Sequence, residues 1–315
     1  MTSVSSPPEP GTSADAAAPD SLPDPLRTSL PAFGAPEPGR RRTRRGAMLC
    51  HAVIATEQRA GRSVLARLRA DTPLSPRPTI ASGEEPFLRG AEAVRVRMSA
   101  SAAGPVGGDT YLLDVHVGAG STLLLKDVGA TLVLPGPHGE LSRWVTRVRI
   151  EEGATFLWMP EPVIAAHGCR HEHVIRAELS PGARLLLREE LVLGRHREEP
   201  GTLSTSLDVR RDGAPAVVQR IALGPEAVGS RSQAVLGAHR AVGNVVVVEP
   251  DGVPGPESAT PEAGCAVMRQ DEATVQITAL GADAPELRRR LDLATDLLGA
   301  PWASPGPRVW SAVPR

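Results

Sequence analysis

Three segments of this chain follow one plan, and that plan restricts the available folds more than any other feature. "LDVHVGAGSTLLL" (113–125), "TRVRIEEGATFLWM" (146–159) and "IRAELSPGARLLLRE" (175–189) each read as an alternating strand, a turn, a small residue and a second apolar strand. Their turn glycines, Gly120, Gly153 and Gly182, recur 33 and 29 residues apart. A unit of that length cannot bury its own apolar face, so the copies must stack on one another. The expected fold is all-β, with stacked β-helical (solenoid-like) layers built from strand–turn–strand repeats. An ordinary antiparallel sandwich would contain similar turns and stays open as the alternative.

The strand-type texture runs from residue 51 to about 248, closing with "NVVVVEP", and is punctuated by Gly, Pro and Asp. Residues 250–264 read as a loop. One helix is expected over 283–299, in "DAPELRRRLDLATDLLG". Asp283 caps it with Glu286 as the capping-box partner. Leu287, Leu291, Ala294 and Leu298 form its apolar stripe, and Gly299 stops it. Residues 1–45 are rich in Pro, Ser, Ala and Gly and lack hydrophobic periodicity, so they are expected to be a disordered tail. That tail ends in the basic run Arg40–Arg45. The β domain is therefore placed at 46–299, with a flexible tail at 300–315.

Composition removes several function classes. The formal net charge is −1 and aromatic residues make up 3% of the chain, which leaves little to attract or stack a nucleic acid. The Arg40–Arg45 run is the one feature that would suit a nucleic-acid arm. No apolar stretch reaches the length of a membrane span, so no membrane partner is expected. "RRRTRRGAMLCHAVIATEQR" looks like a twin-arginine signal, but its apolar part is short and runs straight into charge. Cys50, Cys169 and Cys265 are odd in number and contain no CxxC, which fits a reduced cytoplasmic chain.

The chemistry concentrates in "AAHGCRHEHVIRAEL" (165–179), where His167, Cys169, His171 and His173 occupy alternate positions. On an extended strand all four share one face. At about 3.3 Å per residue, His167 and His173 stand roughly 20 Å apart, so at most two neighbours bind one ion. A third ligand would come from His138, from His196 or from another chain. The competing reading is a polar strand face turned to water. A cupin-like metalloenzyme would use His171 and His173 with Glu178. Ala165 and Leu185, however, stand where that signature has its glycines, and Glu178 falls on the opposite strand face from His173. No nucleophile elbow is present. "AGPVGGD" (103–109) lacks the Lys and Ser/Thr of a phosphate loop and precedes a strand, so Asp109 reads as a turn cap.

Four stretches together carry a family resemblance: "GRSVLARLRADTPLSPRPT" (61–79), "AAGPVGGDTYLLDVHVGAGSTLLL" (102–125), "GATFLWMPEPVIAAHGCRHEHVIRAELSPGARLLLREELVLGR" (153–195) and "VLGAHRAVGNVVVVEP" (235–250). The third holds the most specific features, a Trp-x-Pro-x-Pro strand end, a Pro-Gly-Ala turn and Leu-x-Leu-Gly-Arg. The chain resembles the UreD (UreH) family of urease accessory proteins, actinobacterial type, over about residues 50–250 and more loosely to 298. The resemblance implies a cytoplasmic, non-enzymatic chaperone with a stacked β fold. It also implies a UreF-like helical partner, a UreG-like GTPase and urease apoprotein as the target. No tightly bound cofactor is implied. Ni(II) passes transiently, along a route thought to be lined by acidic residues. Asp109, Asp114, Glu161 and Glu178 are the candidate passage carboxylates, and His167, Cys169, His171 and His173 the candidate transient metal ligands.

Overall fold

A computed structural model describes residues 41–42, 46–81 and 85–302. Of the expected tails at 1–45 and 300–315, residues 1–40, 43–45 and 303–315, and with them most of the Arg40–Arg45 run, lie outside the described residues. In chain order the first strands are β1 (Arg41–Arg42), β2 (Met48–Arg59), β3 (Arg62–Ala70), β4 (Leu74–Pro78) and β5 (Val94–Ala100). Next come β6 (Thr110–Val117), β7 (Thr122–Asp127), β8 (Thr131–Val133), β9 (Leu141–Ile150), β10 (Thr155–Met159) and β11 (Val163–Ala165). They are followed by β12 (Arg170–Leu179), β13 (Arg184–Leu193), β14 (Thr202–Arg211) and β15 (Ala214–Leu223). The chain closes with β16 (Ala241–Val248), β17 (Ser258–Ala259), β18 (Cys265–Asp271), β19 (Thr274–Gly281) and helix α1 (Ala284–Asp296).

The repeat does stack. β2, β6, β9, β12 and β14 run parallel as successive rungs of one sheet, and β5, β7, β10 and β13 do the same in a second. Thr155 lies opposite Thr122 and Arg184 opposite Thr155, so the coils repeat at the 33 and 29 residues read from the turn glycines. Those glycines have φ of +66°, +63° and +70°, the left-handed region where a side chain is strained. The turns also hydrogen-bond coil to coil: Gly120 N donates to Glu152 O (2.9 Å) and Gly153 N to Pro181 O (3.2 Å).

Inward side chains line up in columns across the coils. Ile54, Val115, Val148, Ala177 and Val209 are register neighbours and fully buried. With Leu123, Leu125, Phe156, Leu185 and Leu187 from the second sheet they form the main core. Four residues earlier on each strand, on the same face, the column reads Cys50, Tyr111, Trp144, His173 and Thr205. The interior is thus aliphatic near the glycine turns, and toward the other end its last two coils bring in the polar side chains His173 and Thr205.

β strands continue past residue 248: the hairpin β18–β19 joins the second sheet through β16. α1 packs on that extension by Leu287, Leu291 and Ala294, joined by Leu298 just past its end, all fully buried. Asp283 Oδ1 accepts from Glu286 N at 2.9 Å, and Glu286 Oε2 accepts from Ala282 N at 2.6 Å. The helix ends at Asp296, short of the expected 299, while Gly299 takes the left-handed conformation.

Candidate functional site

A flaw in the second sheet creates the site. β13 pairs with β10 over residues 184–187 and with β11 over 191–193. Between them stands Pro160–Glu161–Pro162, whose prolines have no N–H to offer a ladder. On that side Arg188–Glu190 therefore lack a strand partner. β7 and β8 are likewise separated by three residues, Val128–Ala130, here without a proline. These corners lie beside one another and leave a seam in the wall where polar and apolar side chains meet.

Inside the seam is a cavity of about 20 Å³, enough for one water-sized occupant, lined by Asp127, Glu161, His173, Arg188, Glu189 and Glu190 among others. Next to it lies an open groove of about 570 Å³ between residues 99–104 and 127–132. Met98, Asp127, Thr131 and Trp144 line both spaces and so stand between them.

His173 is 6% exposed, and its Nδ1 has no partner among the described residues. Beside it in register is Thr205, whose hydroxyl donates to Glu189 Oε1 at 2.6 Å. Asn244 Nδ2 donates to the other Glu189 oxygen at 3.2 Å and is itself held by Thr278. His171 is 1% exposed; its Nδ1 meets Ser142 Oγ at 2.9 Å and its Nε2 has no described partner. Burial, and secondarily His173, hold His171 well below the usual imidazole range. Burial also lowers His173, with Glu189 opposing. Both rings are thus neutral at pH 7, the form that ligates metals. Burial pushes the Asp127 carboxyl up to about 7. A backbone N–H of Glu161 and the Arg97 charge oppose that rise, while the Glu161 carboxylate adds to it.

On its outer side α1 fastens the seam. Arg288 donates to Glu161 Oε2 (2.9 Å) and Glu190 Oε2 (3.2 Å), and Arg188 bridges Glu190 and Asp292 at 2.6 Å each.

The expected four-residue stripe does not survive. β12 begins only at Arg170, and Gly168, with φ of +73°, turns the chain just before it. His167 therefore sits exposed on the turn, well away from the seam. Cys169 packs into a separate apolar cluster with Val133, Leu193 and Leu203, where burial pushes its thiol up to about 12. His171 and His173 do share a face, but the face turns inward and not to water. His138 and His196 lie on exposed loops.

The carboxylates also separate. Asp109 accepts from Met48 N (2.8 Å) and Val106 N (3.0 Å), which makes it a turn cap. Asp114 faces the outside of the first sheet, clamped by Arg147 Nε and Nη2 (2.6 and 2.7 Å) and by His51 Nε2 (2.9 Å). Glu178 is exposed on that same outer face, opposite to His171 and His173, which removes the cupin-type ligand set. Only Glu161 reaches the seam. Asp127 and Glu189 were missed because each sits in a strongly apolar run, "TLLLKD" or "LLLREELVL". The cue was there: a charge at an inward position of a buried strand. Among the described residues, no three His, Cys, Asp or Glu side chains gather closely enough to hold a metal ion.

The family model for UreD urease accessory protein matches residues 50–311. The urease accessory protein UreD of Streptomyces coelicolor is 38% identical over 242 residues, covering 76% of this chain and 92% of that protein. That of Streptomyces avermitilis is 39% identical over 249 residues, with the same coverage. That of Frankia alni is 35% identical over 296 residues, covering 84% and 98%. Together with the stacked parallel coils and the terminal helix, these matches establish that the chain belongs to the UreD family of urease accessory proteins.

Proposed function

We propose that this chain is a non-catalytic subunit of the urease maturation machinery, acting in the cytoplasm. On this reading it scaffolds a UreF-like helical protein and a UreG-like GTPase on apo-urease and lets Ni²⁺ pass to the urease active site. One observation carries the passage: a seam interrupts the β wall, with the unpartnered His173 Nδ1 and the Glu189 carboxylate at its inner end. Neutral imidazole and carboxylate are borderline and hard donors that suit Ni²⁺. Along the seam they come singly or in pairs, which favours exchange over retention. Asp127 stands between cavity and groove, Glu161 at the outer corner, and His171 one inward position beyond His173. The absence of any described helix long and apolar enough to cross a membrane is compatible with this location.

The test is nickel loading of urease in cells carrying the double variant H171A/H173A, or separately Glu189→Gln. Both should lower nickel content and urease activity, while the partners still co-purify with the variant chain. Full nickel loading in both variants would remove the seam from the mechanism. Loss of partner co-purification would instead assign these residues to scaffolding.

A further inference from the structure

Glu189 and Glu190 are consecutive on β13, face opposite ways and meet opposite kinds of partner. Glu189 points inward with Leu185 and Leu187, and its described partners, Thr205 and Asn244, are neutral. No guanidinium competes for it among them. Glu190 points outward with Arg188, toward α1, and is buried there. Its Oε1 accepts from Arg188 Nε at 2.6 Å and from Arg288 Nε at 3.2 Å.

Arg288 also reaches further. Its Nη2 lies 3.2 Å from Glu190 Oε2 and 2.9 Å from Glu161 Oε2, so one nitrogen stands where two carboxylates from separate segments converge. Both carboxylates line the cavity of the seam, and so does His173, whose Nδ1 has no described partner. A first-row divalent ion at that point would sit about 1 Å nearer to each oxygen than the nitrogen does. The guanidinium thus fills a cation's place, with a charge that no accessible pH removes. α1 itself is fixed by the buried Leu287 and Leu291, but the Arg288 side chain keeps 21% exposure, so the arm can turn while the helix stays.

We propose that Arg288 is a charge plug on the α1 side of the seam: its Nη2 holds the place of a divalent cation between Glu161 and Glu190, and that station opens when the arm turns out to solvent. Two carboxylate oxygens with an imidazole in the same cavity suit Ni²⁺, Co²⁺ or Zn²⁺ held weakly. The station follows from geometry alone, while its use in nickel transit rests on the passage reading. Arg188, tied to Glu190 and to Asp292 at 2.6 Å each, keeps the carboxylates in place when Arg288 leaves.

The test is calorimetric titration of the purified full-length chain with Ni²⁺. Arg288→Met keeps the apolar stem and removes the charge. It should tighten Ni²⁺ binding at least about tenfold, because like charges a few ångströms apart repel strongly at a half-buried site. Arg288→Lys retains the charge and should bind as the unaltered chain does. Arg289→Met removes the neighbouring arginine, which pairs with Glu262, and should also change nothing. Adding Glu161→Gln to Arg288→Met should cancel the gain. A merely structural Arg288 would leave nickel affinity unchanged or weaker on removal. Either of those results overturns the plug, as does a gain that survives Glu161→Gln. The titration reads the isolated chain, so it is separable from the passage. Unchanged affinity in Arg288→Met overturns the plug even where H171A/H173A lowers urease nickel, and tightened binding supports it even where that variant loads urease fully.

Discussion

Asp114 offers a direct test of whether a buried carboxylate in this fold is structural or belongs to the proposed passage. It is 1% exposed and held by a bidentate Arg147 and by His51, on the sheet face opposite the interior column. Replacing it by Ala leaves the Arg147 guanidinium, 16% exposed, without its principal described counter-ion in a largely desolvated setting. Breaking a pair of this kind costs about 3–5 kcal/mol, much of it the desolvation of the abandoned charge. For a domain of this size each kcal/mol moves the melting temperature by about 2–4 °C. The expected fall is therefore roughly 6–20 °C, read by circular dichroism on the purified variant. Urease activation should remain: below its melting temperature, D114A at matched folded concentration should activate urease as the unaltered chain does. A melting temperature within about 2 °C of the original would refute the energetic argument. A stable variant that fails to activate urease would return Asp114 to the passage.

Two more perturbations follow from the same geometry. His171 and His173 have depressed folded-state values, so the unfolded chain binds protons that the folded chain refuses. Their contribution is retained above about pH 6.5 and lost as pH falls below it. H171N/H173N should show a flatter urea midpoint between pH 7.5 and 5.5 than the unaltered chain, and equal slopes would contradict the assignment. Gly201→Ala would put a methyl 2.3 Å from the Ala166 carbonyl and 2.4 Å from Cys169 Sγ. Overpacking of that kind should destabilise by about 1–3 kcal/mol, measured by urea titration, and an unchanged midpoint would mean that the Cys169 turn yields freely.

The fold was legible because its dominant signals are local and periodic. Turn glycines 33 and 29 residues apart set the coil length, and a capped stripe of four apolar residues set α1. The site was less legible, for two physical reasons. Side-chain alternation places residues on a common face but cannot say which face is buried, so the His171/His173 face was open between water and interior. Second, the turn at Gly168 breaks the alternation before the strand begins, which removes His167 and diverts Cys169 into an apolar cluster. The seam itself depends on how the corners at Val128–Ala130 and Pro160–Pro162 align between coils. That alignment is a property of register across some thirty residues, not of any single segment. The hairpin β18–β19 was likewise unassigned, since "CAVMRQDEATVQITALG" alternates but follows a long Pro- and Gly-rich stretch.

The column Cys50–Tyr111–Trp144–His173–Thr205 runs across the strands, with one side chain contributed by each rung. Adjacent rungs are about 4.8 Å apart, so the span of this internal file is counted in whole strands. Adding or deleting one coil would lengthen or shorten it by that single step while leaving the side chains at either end in place. Evolution can therefore retune reach and chemistry separately: reach through the number of coils, chemistry through one residue per coil.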